Sequence, residues 1–221
     1  MNLTLAFPLL STVDYGFPVN EAFSILSDCV SKFLADNNDL TLLLVEPAVN
    51  NGLNLSIFQG PVQQQVKLLE SIWNPRFRAI IGDISNLHTI ENIPNVLAIV
   101  NSSNQRFSEK GGYTNQLIHQ KAGKELYTRC SELYKKKQKG EVYPVRLSES
   151  NLMRRQEGYR FVFLVLGPNL RSDKPDCESS LETASKVLRS CYENMFAKFK
   201  ELVEGEERER ERERFREAES S

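Results

Sequence analysis

The residues that can do chemistry follow short apolar runs. After RAII come Gly82, Asp83 and Ile84. After VLAIV come Asn101-Ser102-Ser103-Asn104, then Gly111-Gly112-Tyr113. After LTLAF come Pro8, then Ser11, Thr12, Val13, Asp14, Tyr15, Gly16 and Phe17, and after FVFLVL come Gly167-Pro168. Glycine lets a backbone approach a ligand closely. Small and amide residues at strand ends leave N–H groups to hold an anion. Phosphate cradling is the chemistry this composition suits, although each stretch alone is also an ordinary turn. The chain has two histidines, His88 and His119, and four scattered cysteines with no CxxC pair. Neither a metal cluster nor a disulfide scaffold is expected, and a reducing cytosol or nucleus is. No nucleophile–histidine–acid set, P-loop or GxGxxG can be assembled. His119 falls on an apolar-periodic helix and reads as a packed histidine.

These loops need elements to hold them. LTLAF (3–7), LTLLLVE (40–46), RAIIGD (78–83) and VLAIVN (96–101) are apolar throughout, the pattern of strands covered on both faces. LSIFQ (55–59), EVYPVRL and YRFVFLVL are further strand candidates. Helices are expected from a cap at Asn20 to about Leu34, over 62–73, from about Asn115 through Lys137, and over 179–204. Strands alternating with helices argue for a layered α/β domain with a mostly parallel sheet.

Composition sets the outer bounds. The 221 residues carry 28 basic and 29 acidic side chains, a net charge of -1, so attraction to nucleic acid or anionic membrane is not encoded globally. No apolar run approaches the roughly 18 residues that span a bilayer. The N-terminal stretch lacks a basic n-region, so no secretory signal is expected. The tail from Gly205 is almost entirely Glu and Arg and reads as a solvated helical extension or a disordered tail.

The stretch GDI…AIVNSSN…GGY…LIHQKAG resembles the first half of a macro domain, the ADP-ribose-binding fold. FVFLVLGP is similar to that family's later strand ending in Gly-Pro. AFPLLSTVDYGFP resembles its second phosphate loop, which usually comes near the end of the domain and here comes first. The resemblance therefore implies a three-layer α/β/α fold with a mixed, mostly parallel sheet, circularly permuted. Residues 1–204 would form one domain, with 47–76 as the joining segment and 205–221 as the tail. SIFQGPV (56–62) is a rival for the first strand and loop. Gly82-Asp83-Ile84 is preferred because it keeps the acid and lies closer to the Asn pair.

By the same resemblance, Asp83 would accept from the adenine amine and Ile84 would offer its backbone N–H. Asn101 and Asn104, which both donate and accept, would meet the distal ribose beside Gly111 and Gly112. Ser11, Thr12, Tyr15 and Gly16 would cradle the diphosphate, with Phe17 against the ligand. For each there is a plainer reading: a turn cap for Asp83, an Asx-turn for the asparagines, a core aromatic for Phe17.

Several positions depart from the family pattern. Tyr113 replaces a loop glycine, Val13 replaces another and is followed by Asp14, Asn115 stands where hydrolytic members carry an acid, and Leu164 replaces a strand histidine. The expected function is binding of ADP-ribose or a derivative that is free, phosphorylated or protein-linked, with ADP-ribosylated protein as a further partner. No cofactor, metal or membrane is implied, and RNA is disfavoured. Two alternatives stand beside it. One is an ADP-ribose-1″-phosphate phosphatase or mono-ADP-ribosyl hydrolase, with Asn101 or Asp14 as candidate catalytic residues. The other is a degenerate scaffold for protein or RNA contact, RNA through the basic stretch Lys135–Lys139 with Arg146, Arg154, Arg155 and Arg160.

Overall fold

Alternation along the strands decides the layers. A computed structural model describes residues 3–12, 14–47, 60–93 and 95–219. In β1 (Leu3–Phe7), Leu3, Leu5 and Phe7 join one apolar core while Ala6 joins another. β2 (Leu40–Glu46) sends Leu40, Leu42 and Leu44 to the first and Leu43 and Val45 to the second. Continuous apolar runs with a side-chain period of two can only be buried by cover on both faces. α1 (Val19–Asp36), α2 (Gly60–Trp73) and α6 (Leu181–Glu219) cover the first face. α3 (Tyr113–Ala122), α4 (Lys124–Leu133) and α5 (Leu152–Glu157) cover the second.

The described residues form one six-stranded sheet, completed by β3 (Phe77–Ile81), β4 (Val96–Ser102), β5 (Val142–Arg146) and β6 (Phe161–Val165), in the order β3-β2-β1-β4-β6-β5. All neighbours are parallel except β5, which runs antiparallel to β6. Pro144 in β5 has no N–H for a ladder, and an edge strand is where that costs least. β1 lies in the middle, flanked by β2 and β4.

Local signals differ from expectation in three places. The first helix begins at Val19 behind Pro18, whose carbonyl accepts from the Ala22 N–H, so Asn20 lies inside the first turn rather than at the cap. The single helix expected over 115–137 is two helices. Gly123, at φ 70°, breaks it, and Asn151 Nδ2 donates to the exposed end carbonyl of Ala122 at 2.9 Å. The Glu/Arg run is helical to Glu219 and begins with a functional contact: Glu206, 4% exposed, pairs with Arg160 and, at 3.7 Å, with Arg146. The strand expected over 55–59, and Val13, lie outside the described residues. No helix among those described is long and apolar enough to cross a membrane.

Candidate functional site

The sheet order reverses direction between β1 and β4. The chain leaves β1 through α1 on one face and leaves β4 through α3 on the other, so a crevice opens where their carboxyl ends meet. Open α/β sheets bind ligands at such a switch point.

The loop after β1 is pinned from below. The Leu9 N–H donates to Glu46 Oε1 at 2.8 Å and the Leu10 N–H to Tyr192 Oη at 3.0 Å, while Thr12 Oγ1 donates to the Leu9 carbonyl at 3.1 Å. Ser11 is held at φ 64°, a conformation that costs a non-glycine residue about 1–3 kcal/mol. Its buried hydroxyl has no protein partner and lies against Gly167, where a Cβ would come within 2.1 Å of it. That close approach explains the glycine after β6.

The loop after β4 is organised by two asparagines. Asn115, on α3 and 1% exposed, accepts from Asn101 Nδ2 at 2.9 Å and from Ser103 Oγ at 3.3 Å, and donates to the Ser108 carbonyl at 2.8 Å. Asn104 donates to the carbonyls of Ser108 and Lys110 and accepts from the Arg106 N–H at 2.9 Å. Asn101 Oδ1 and Ser102 Oγ are buried without partners. Gly111 packs so tightly that a Cβ would stand 2.6 Å from Asn115 Nδ2.

Two cavities result. The larger, about 560 Å³, is lined by Asn104, Gly111 and Gly112 together with five cations, Arg106, Lys110, Lys139, Arg171 and Lys174. That volume is in the range of small-molecule sites. The smaller, about 50 Å³, is lined by Ser11, Thr12, Ser102, Tyr113, Asn115, Glu46 and Pro47. Asp14, Tyr15 and Gly112 border both. Tyr15 Oη donates to the Ser103 carbonyl at 3.3 Å, and burial pushes its pKa up to about 12. The Asp14 carboxylate packs against Gly112, just before α3. Desolvation of its carboxyl end raises its pKa against the pull of Arg171. Burial lowers the pKa of His119, so its ring is neutral at pH 7.

The family comparison follows the same residues. A family model described as the macro domain matches residues 100–203. The Oryza sativa APL macrodomain in complex with ADP-ribose matches with a TM-score of 0.78 at 29% identity, over 90% of this chain and 96% of that one. Residues 100–203 thus match the macro domain, and the described fold as a whole is similar to solved macrodomains. An ADP-ribose-binding macrodomain from Dictyostelium discoideum gives a TM-score of 0.70 at 25% identity, over 87% of this chain and 88% of that one. The Arabidopsis thaliana protein named transcription factor bHLH140 is 28% identical over 206 residues, 93% of this chain. The chain spans only 22% of that relative's length.

Of the expected site residues, the fold brings Ser11, Thr12, Tyr15, Asn104, Gly111 and Gly112 to the cavity walls. Asn101 is fully buried, its amide committed to Asn115. Among the described residues Asp83, Ile84, Gly16 and Phe17 line neither cavity. Asp83 Oδ1 accepts from Ser85 N and Oγ at 2.8 and 2.7 Å, the turn-cap arrangement. Ile84 and Phe17 pack in the two cores at 3% and 2% exposure. Sequence reasoning passed over Glu46 and the cations Arg171 and Lys174. An acid closing an apolar strand, and the residues beyond Gly167-Pro168, were the signals available. The basic stretch considered for RNA is largely neutralised internally: Lys139 pairs with Glu178 at 2.5 Å, Arg154 with Glu149 at 3.2 Å, and Arg146 and Arg160 with Glu206.

Proposed function

We propose that this protein binds ADP-ribose or a derivative across the β1/β4 switch point, without efficient turnover. The observation that carries the reading is the pair of unpartnered hydroxyls, Ser11 Oγ and Ser102 Oγ, on the residues that line the smaller cavity beyond the two central strands. Buried polar groups are normally satisfied, so orphans gathered at one crevice fit a hydroxyl- and phosphate-rich ligand. Likeness to a rice macrodomain solved with ADP-ribose supports the same ligand.

The reading includes circular permutation. It is supported by β1, from the segment that resembles the end of the family pattern, lying between β2 and β4. It is supported also by α6, the last element, packing on the first: Phe196 stands 5.8 Å from Phe7 and 5.0 Å from Phe33, ring centre to ring centre. Weak turnover follows from the chemistry available. General-base catalysis contributes about 10²–10⁴-fold, and Asn115 has no basic group to supply it. Asp14 is packed against Gly112.

Calorimetry with ADP-ribose tests the binding. No heat at millimolar ligand removes the reading. Phosphate and ADP-ribose release from the 1″-phosphate and from mono-ADP-ribosylated protein should stay at background. Turnover that disappears in Asn101→Ala would make the protein an enzyme instead.

A further inference from the structure

One side chain divides the candidate cleft. Asp14 is exposed along most of its length, but its carboxyl end turns inward. Its Oδ2 sits so close to Gly112 that a Cβ there would stand 1.6 Å away. Gly112 immediately precedes Tyr113, the first residue of α3, so the carboxylate lies at the start of that helix. Asp14, Tyr15 and Gly112 form the shared wall of the two cavities.

The first N–H groups of a helix have no partner within the helix, and the dipole favours negative charge there. Phosphate is a group that such an end holds well. Here an internal carboxylate already lies beside it. A second observation points to a ligand at the same wall: the hydroxyl of Ser11, 3% exposed and lining the smaller cavity, has no partner.

We propose that Asp14 is a built-in competitor, seated at the N-terminus of α3 in the free protein and displaced when the ligand's phosphate enters. This rests on the ADP-ribose reading, because a ligand reaching from the smaller cavity into the larger must cross the wall Asp14 forms. Arg171, which acts on Asp14 electrostatically and lines the larger cavity, is itself paired with Asp173 at 3.0 Å and would take the displaced carboxylate as a second partner. Displacement subtracts from affinity, since the binding-competent arrangement must first be populated. Asp14 thereby sets a threshold that weak anions do not cross.

The test is a titration of ADP-ribose into the full chain and into Asp14→Asn and Asp14→Ala, each checked for wild-type circular dichroism. Asparagine keeps the shape but removes the charge, and alanine empties the seat. The dissociation constant should fall about tenfold in the asparagine variant, equivalent to about 1.4 kcal/mol, and at least as far in the alanine variant. Wild-type binding that is unchanged or weakened in both variants overturns the proposal and leaves the ADP-ribose reading intact. Absence of binding by wild type and both folded variants ends the two together.

Discussion

Replacing Glu46 by glutamine should stabilise the protein by about 3 kcal/mol at pH 8 and change little at pH 4. Glu46 is 5% exposed, at the carboxyl end of β2, and its carboxylate accepts from the Leu9 N–H at 2.8 Å. Burial raises its pKa from 4.5 to about 7, and the single N–H offsets only part of that. A carboxyl whose folded pKa lies above its unfolded value binds its proton more tightly in the native state. Its contribution is therefore full below about pH 4.5 and is lost as pH rises towards 7. Glutamine keeps an oxygen for the Leu9 N–H and carries no proton to lose. Urea unfolding of the two proteins at matched pH values between 4 and 8 isolates this group, because every other titration cancels in the difference. Parallel curves would mean that Glu46 ionises as an ordinary surface carboxylate.

That carboxyl also marks the limit of what sequence alone could say. The strands were readable because apolar side chains on both faces leave no other arrangement: all of β1 and β2 is buried, as their composition requires. The same continuity hid the end of a helix, since the apolar spacing runs through Gly123 and only its positive φ separates α3 from α4. Side-chain amides were legible as chemistry and illegible as partners. Asn101 meets Asn115, fourteen residues on, and nothing in either position says whether an amide will face a ligand or another amide. Asp14 stood out as a charge in a phosphate loop. The backbone it packs against, Gly112, comes from the far side of the switch point, and only the sheet order brings the two together. Arg171 and Lys174 reach the cavity from the turn-rich segment past the end of β6, whose composition marks a loop but does not say which crevice it borders.

The same hub makes a sharp case of Asn115→Asp, the change that would restore the acid found in hydrolytic members of the family. It should destabilise the protein by about 3 kcal/mol at neutral pH, with no gain of turnover. Asn115 uses both ends of its amide: its oxygen accepts from Asn101 and Ser103, and its nitrogen donates to the Ser108 carbonyl. A carboxylate keeps the two acceptances. It then turns its second oxygen on the Ser108 carbonyl with no proton between them, in a site 1% exposed. Protonation repairs this, because a neutral carboxyl can donate to that carbonyl. The new group's folded pKa should therefore lie above the ordinary aspartate value, so the stability deficit shrinks as pH falls and grows as pH rises. Asn115→Ala separates shape from charge. It loses all three hydrogen bonds without adding an ionisable group, so its deficit should not vary with pH. Urea unfolding of the three proteins at pH 4.5 and 7.5 decides the point. An aspartate variant as stable as wild type at pH 7.5 would show that the loop can turn the Ser108 carbonyl away, and that the asparagine is not what holds Gly111 and Gly112 in place.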